Sequence, residues 1–277
     1  MGVRCHISIG ACALFLLVVA EIAHCANSSL HLHSPCVERE RQALVKFKES
    51  LNDPLNLLSS WQGIHCCQWE GISCDDVTGR IVKLDLTTSF ERCQRSQPFR
   101  DHYNFWETYE FEWKLFGGNP IPMFIGSMQQ LRYLSLSNAG FVGKIPKSLG
   151  NLTNLHFLDL SGNEFSPPLN INLISELRLL EHLDMGNVYF GQAHNLLQPV
   201  SINLTGAPKL RCLGLAGNGL TESALDALQN MTSLVHLDLS HNNLISFPSW
   251  SVNFKKLESL DLSWCGLFGS IPKCNFH

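Results

Sequence analysis

The stretch Leu131–Pro146, LRYLSLSNAGFVGKIP, sets a pattern that recurs along the chain. Leucines stand at its first, fourth and sixth positions. The same spacing begins again, with steps of 24, 25, 30, 24 and 23 residues, at Leu155, Leu180, Leu210, Leu234 and Leu257. A period of about 25 residues is typical of a protein built from stacked structural units, each of which buries its apolar face against the next.

Each repeat is predicted to begin with a short strand. Alternate side chains of a strand point to opposite faces, so the leucines point inward while the residues between them face outward. Parallel strands of successive repeats, about 4.8 Å apart, would then form one curved sheet on the concave side. At the ninth position an asparagine amide can bond the backbone of neighbouring turns. Asparagine stands there in Asn163, Asn218 and Asn242, and Ala139, Val188 and Cys265 interrupt the ladder.

The same phase extends toward the amino terminus. Twenty-five residues before Leu131 the pattern W-x-x-Y-x-F begins at Trp106, and 25 residues before that I-x-x-L-x-L begins at Ile81. The spacing therefore predicts about eight repeats over 81–277, with an aromatic second repeat and a last repeat that is cut off. If the natural chain ends at His277, this last repeat has no unit covering its core, which predicts poor solubility or self-association.

Residues 26–80 follow another pattern and are predicted to cap the open end of the stack. The sequence CVERERQALVKFKESL places Ala43, Leu44, Phe47 and Leu51 on one face of a helix that ends at Asn52-Asp53-Pro54. Within the repeats, TESALDALQN has helical spacing with Thr221 or Ser223 as its cap, and NLLQPVSINL is predicted to be partly helical.

Residues 1–25 have the features of a secretory signal peptide. Arg4 is the only charged residue before the largely apolar run Ile7–Ala20, and small residues follow at Ala23, Cys25 and Ala26. Fourteen apolar residues are short for a membrane span, which needs about twenty. We therefore predict cleavage near Cys25 and a secreted product in a compartment where disulfides persist.

Composition and motifs argue against several classes of function. A net charge of −4 gives no reason to expect a nucleic-acid partner. The chain has no kinase motifs, no phosphate-binding glycine loop and no G-x-S-x-G, and we expect no cofactor, no metal and no catalysis.

Two sets of residues have the composition of a chemical site. Aspartate recurs at the fifth position, in Asp85, Asp159, Asp184, Asp238 and Asp261. Paired carboxylates suit glycoside hydrolysis, but LDL is also simply the repeated pattern. The third position carries the soft ligands His182, Cys212 and His236 in consecutive repeats. Neighbouring strands project such side chains in parallel, whereas a tetrahedral zinc site needs four converging ligands.

The chain resembles the extracellular region of plant leucine-rich-repeat receptors. The resemblance rests on Cys36 with Ala43-Leu44 and Phe47-Lys48, on LSSW at 58–61, on CCQWEGISC at 66–74, on TGRIVKLDL at 78–86 and on the repeats. Residues 116–141 are most similar to the kinase-less receptor-like proteins of pathogen perception. The sequence of these residues is FGGNPIPMFIGSMQQLRYLSLSNAGF. Secreted polygalacturonase-inhibiting proteins share the cap and the repeat. The polar and aromatic segment RCQRSQPFRDHYNFWE at 92–107 departs from the family pattern.

The resemblance implies an α/β fold, a right-handed leucine-rich-repeat solenoid (a horseshoe) with a parallel concave sheet and a disulfide-bonded N-terminal cap. It implies disulfides Cys36–Cys66 and Cys67–Cys74. The implied function is a truncated receptor-like protein of plant defence that binds a peptide, glycan or protein without catalysis and signals with a co-receptor kinase. The alternative is a secreted inhibitor of a pathogen enzyme such as polygalacturonase. Localisation would be the apoplast, or the cell membrane if the gene continues to a transmembrane helix.

The ligand surface is predicted to be the exposed strand positions, where large rings and charges on a rigid sheet suit partner contacts. The candidates are Arg132, Tyr133, His156, Phe157, Glu181, His182, Arg211, His236, His241, Glu258 and Trp264. Ordinary decoration of a solenoid is the competing interpretation.

Sequons and the remaining cysteines complete the predictions. Four N-x-S/T sequons are candidates for glycosylation: Asn27, Asn151, Asn203 and Asn230. Cys212 and Cys265 lie two repeats, or roughly 10 Å, apart, too far for a disulfide, and Cys265 should be a buried thiol. Neither Cys93 nor Cys274 has an assigned partner.

Overall fold

In the computed structural model, the L-x-x-L-x-L segments form the strands of one sheet. The structure describes residues 35–87, 116, 118–166, 171–188, 204, 206–247 and 254–269. These residues belong to the unit Pro35–His277. The strands are β1 (Ile72–Cys74), β2 (Ile81–Asp85), β3 (Tyr133–Ser135), β4 (Val142–Gly143), β5 (Phe157–Asp159), β6 (Glu164–Phe165), β7 (His182–Asp184), β8 (Cys212–Gly214), β9 (His236–Asp238) and β10 (Ser259–Asp261). The helices are α1 (Glu38–Glu49) and α2 (Glu222–Leu225), with 3₁₀ helices η1 (Cys66–Gln68), η2 (Met123–Ser127), η3 (Lys147–Asn151), η4 (Ile171–Glu176) and η5 (Asp226–Asn230).

The main sheet has eight strands in the order β1-β2-β3-β5-β7-β8-β9-β10. The strand β1 is antiparallel to β2, and every later pair is parallel. A second, two-stranded sheet pairs β4 with β6. The 3₁₀ helices η2, η3 and η4 stack on one another along the return path of the repeats. The fold is the predicted right-handed leucine-rich-repeat solenoid with a parallel concave sheet.

The predicted aromatic strand at 106–111 lies outside the described residues. Strand β2 pairs directly with β3, with Lys83 opposite Tyr133. The strands that begin at Ile81 and near Leu131 are therefore neighbours in the sheet. A match to the repeat spacing alone cannot show that a segment joins the sheet, because the sheet is formed by backbone hydrogen bonds between neighbouring strands.

The N-terminal cap covers the first strand as predicted. The helix α1 buries Leu44 and Phe47 completely. Both implied disulfides are present, Cys36–Cys66 and Cys67–Cys74, with Cα atoms 5.7 Å and 5.4 Å apart. The buried carboxylate of Glu40 accepts a hydrogen bond from the N–H of Ile81 at 2.7 Å, which ties the helix to β2.

The asparagine ladder is also confirmed. The amide of Asn163 donates to the carbonyls of Leu136 and Leu160 at 2.8 and 2.9 Å, and its oxygen accepts the N–H of Phe141 at 2.9 Å. Where Cys265 replaces asparagine, the buried thiol donates to the carbonyl of Leu239 at 3.0 Å. Cys265 and Cys212 are both free, as the spacing predicted. The predictions for Cys93, Cys274 and NLLQPVSINL concern residues outside the described ranges, apart from Leu204.

The predicted helix in TESALDALQN exists as α2 and η5, with Thr221 at its N-cap. Next to this cap, the Glu222 carboxylate accepts the N–H groups of Ile245 at 2.6 Å and Ser246 at 2.9 Å. These two residues belong to the following repeat. The bonds from Ser246 and its neighbours lower the pKa of Glu222 below its ordinary value of 4.5, because they favour the ionised form.

A pH titration should detect this contact. The pKa of Glu222 is lower in the folded chain than in the unfolded chain, so the contact contributes fully above pH 4.5 and is lost as the pH falls through the lowered value. We expect the hydrogen-exchange protection factors of the Ile245 and Ser246 amides to fall over that range. Glu222→Gln should give low protection throughout, and equal protection at both pH extremes in the natural chain would contradict the assignment.

Candidate functional site

The exposed face of the main sheet carries two rows of side chains that run across the strands. The charged row consists of the second-position residues Val82, Arg132, His156, Glu181, Arg211, Val235 and Glu258. The ring row consists of the third-position residues Lys83, Tyr133, Phe157, His182, Cys212, His236 and Ser259. Nine of the eleven predicted ligand-surface residues lie in these rows.

Backbone hydrogen bonds hold the charged row in line. The N–H of each member donates to the carbonyl of the preceding member, for example Arg211 to Glu181 and Glu258 to Val235, both at 2.8 Å. His156 Nδ1 lies 3.2 Å from Glu181 Oε1, and both side chains remain nearly half exposed. The row therefore presents charges of both signs at the spacing of the strands.

The ring row contains a continuous stack. The rings of Tyr133 and Phe157 lie 4.2 Å apart at 8°, and those of Phe157 and His182 lie 4.2 Å apart at 7°. The ammonium of Lys83 lies 4.8 Å from the centre of the Tyr133 ring, a cation–π contact. Each inner ring face is covered by its neighbour, so these rings offer mainly their edges to a ligand.

The remaining two predicted residues, His241 and Trp264, lie at the edge where the strands end. Their rings stack 5.8 Å apart at 16°. Both backbones are left-handed, with φ of 54° and 57°, a conformation that is costly for a bulky side chain. Other repeats place asparagine or glycine there, such as Asn138. Trp264 is 73% exposed, so this edge pair forms an exposed aromatic patch outside the two rows.

The aspartates at the fifth position serve the turns that follow their strands. Asp159 Oδ1 accepts the N–H of Ser161 at 3.0 Å and its hydroxyl at 2.6 Å. Asp261 and Ser263 repeat this arrangement. The same oxygen accepts a backbone N–H two residues on in Asp85, Asp184 and Asp238. Asp85 and Asp159 are also buried. This geometry explains the LDL pattern as a turn device and supplies no pair of free carboxylates.

The soft ligands His182, Cys212 and His236 stand side by side in register. Among the described residues, only Cys36, Cys66 and Cys67 bring three potential ligand atoms within 4.8 Å of one another, and disulfides engage all three. Burial raises the pKa of the Cys212 thiol, while the nearby Arg211 opposes this rise. The thiol of Cys212 is therefore protonated at neutral pH.

Sequence reasoning missed three cations on this face. Lys83 begins the ring row, and Lys209 and Lys256 precede the first leucine of their repeats, beside the charged row. The repeat register was sufficient to find them, because every repeat places the same position at the same edge of the sheet.

Three segments of the chain match known protein families. Residues 37–75 match the leucine rich repeat N-terminal domain, and residues 130–152 and 208–267 match two leucine rich repeat families. The matched segments cover the cap through β1 and the strands β3, β4, β8, β9 and β10. The chain is a leucine-rich-repeat protein. Within the described ranges, no helix of this leucine-rich-repeat protein is both long enough and apolar enough to cross a bilayer.

The relatives of this leucine-rich-repeat protein are plant receptor-like proteins. Receptor-like protein EIX1 of Solanum lycopersicum is 32% identical over 85% of this chain and 24% of its own length. Receptor-like protein 41 of Arabidopsis thaliana is 28% identical over 86% of the chain and 26% of its length. The chain thus spans about a quarter of each of these two relatives.

Solved structures show the same fold. The complex PEPR1-AtPEP1 aligns with a TM-score of 0.54 and 24% identity over 85% of this chain and 29% of that one. The second structure is the ectodomain of the receptor kinase GASSHO1/SCHENGEN3 of Arabidopsis thaliana in complex with CASPARIAN STRIP INTEGRITY FACTOR 2. It aligns with a TM-score of 0.50 and 22% identity over 84% of this chain and 30% of that one.

Proposed function

We propose that this chain is an extracellular recognition module of the receptor-like class that acts in plant defence. It binds a peptide or protein on the exposed face of its sheet, through the charged row and the ring row, without catalysis. The observation that carries this proposal is the pair of rows, which place charged and aromatic side chains on a rigid sheet. The similarity to receptor-like proteins supports the receptor class.

The stacked rings favour a peptide or protein ligand over a glycan. Sugars commonly bind by packing on an open aromatic face, and the facing surfaces of Tyr133, Phe157 and His182 are occupied by one another. A peptide can instead use the charged groups and the ring edges beside them, which suits the mixed polar and aromatic character of protein interfaces.

Carbohydrate in this proposal is attached to the opposite side of the solenoid. Asn151 and Asn230 are exposed and end the 3₁₀ helices η3 and η5. These helices belong to the return path of the repeats, so N-glycans on the two residues would leave the rows accessible. Asn27 and Asn203 lie outside the described residues. We further propose signalling through a partner kinase and an extracellular location.

Selection from a display library of random twelve-residue peptides tests the function. We expect peptides that bind the full chain to lose at least about tenfold in affinity for Arg132→Ala/His156→Ala, because each exposed polar contact contributes about 1 kcal/mol. The matched control is Lys144→Ala/Lys147→Ala, at and near η3, which should bind as the natural chain does. Equal binding to both double variants would show that recognition does not use this face.

A further inference from the structure

The charged row contains one interior gap. After Val82 at its start, its members are long polar side chains except in the repeat of β9, where the second position is Val235, only 7% exposed. The residue before the first leucine of that repeat is also short, since it is Ser233, whose hydroxyl donates to the carbonyl of Leu210 at 2.7 Å. The two positions that flank Leu234 in this repeat are therefore both filled by short side chains.

The two neighbouring repeats wall this gap, which we call the notch. Lys209 and Arg211 stand on the β8 side, and Lys256 and Glu258 stand on the β10 side. The wall strands are two strand spacings apart, or roughly 10 Å. Together with Glu181 they line an open depression of about 590 Å³, which is large enough for a side chain from a ligand.

The notch carries more positive than negative charge. In the described part of the chain, no carboxylate oxygen lies within 4.0 Å of the charged nitrogens of Lys209, Arg211 or Lys256. Glu181 already faces His156 at 3.2 Å, which leaves Glu258 as the one carboxylate of the notch outside such a pair. Three cations that form no ion pair with the described residues, around an apolar floor, favour an anionic guest.

We propose that the notch is a specificity subsite that takes an acidic side chain, aspartate or glutamate, of the peptide or protein ligand. The inference rests on the proposed function and adds the chemistry of one ligand residue. The carboxylate lies between Lys209, Arg211 and Lys256, and the methylene groups of the acidic side chain cover Val235. Glu258, on the far wall, accepts a backbone N–H beside that residue.

The test uses peptides selected on the full chain from the random library. We expect aspartate or glutamate at one fixed position in the selected set. For such a peptide, Lys209→Gln and Lys256→Gln should each weaken binding about two- to fivefold, the range for one exposed ion pair. Val235→Gln introduces a side chain that is long, as at the same position of the neighbouring repeats, but uncharged. It should weaken binding about tenfold, because the new side chain fills the notch.

Matched variants separate the notch from general effects. Val142→Gln, in β4, repeats the valine substitution outside the main sheet, and Lys147→Gln repeats the lysine substitution; both should leave affinity unchanged. Selected peptides without an acidic residue, or full affinity for Val235→Gln, would contradict the proposal that the notch binds an acidic side chain. If those peptides still lose affinity for Arg132→Ala/His156→Ala, the proposed function stands without it. If they bind that variant normally, both proposals fail.

Discussion

Asn242→Ala should lower the free energy of unfolding by about 3 kcal/mol, because buried hydrogen-bonding groups would lose their partner. The Asn242 oxygen accepts the N–H of Leu220 at 2.9 Å and that of Asn218 at 3.2 Å. Its amide donates to the carbonyls of Leu215 and Leu239 at 2.9 and 2.8 Å. A single 5% exposed side chain thus satisfies backbone groups from two repeats, and alanine satisfies none of them.

The adjacent Asn243 provides the control. Asn243 is exposed, and its backbone N–H donates to the carbonyl of Leu220 at 2.9 Å, a bond that alanine retains. Asn243→Ala should change stability by less than about 0.5 kcal/mol, as surface substitutions generally do. Urea denaturation followed by circular dichroism measures both variants. Equal losses in the two would show that the ladder does not stabilise the stack.

The second large effect is expected from the cap. Replacing both Cys36 and Cys66 by alanine should cost about 3.5 kcal/mol, since the bond closes a loop with a sequence separation of 30 and longer loops lose more entropy on closure. Replacing Cys67 and Cys74, separated by 7, should cost about 2.5 kcal/mol by the same relation.

The free thiol at Cys212 is the matched control for these cysteine variants. Cys212→Ala removes a half-buried sulfur that forms no disulfide, so its cost should be smaller than that of either double variant. Thermal unfolding of the three proteins under the same oxidising conditions gives the order. A loss for Cys212→Ala as large as for Cys36→Ala/Cys66→Ala would contradict the role assigned to the cap.

Much of the fold was predictable because the leucine period reports directly on which side chains are buried. The first, fourth and sixth positions of the repeat at Leu155 are buried as predicted. The period does not by itself give the order of the strands, because an aromatic segment can match it by chance. The direct pairing of β2 with β3 is visible only in the structure.

The candidate site was predictable in position but not in arrangement. The register placed Tyr133, Phe157 and His182 on the exposed face, whereas their stacking depends on side-chain rotamers that a sequence does not encode simply. The notch exists because the side chains of Ser233 and Val235 are short. A search for large exposed side chains overlooks such a feature, although the register would have shown it.

Hydroxyl-radical footprinting of the chain with and without a library-selected peptide is the most direct test of recognition on the sheet face. We expect the peptide to protect Tyr133 and Phe157 from oxidation. Met123, which is 74% exposed in η2, should be oxidised equally in both samples. Protection of Met123 with unchanged oxidation of Tyr133 and Phe157 would contradict the central claim.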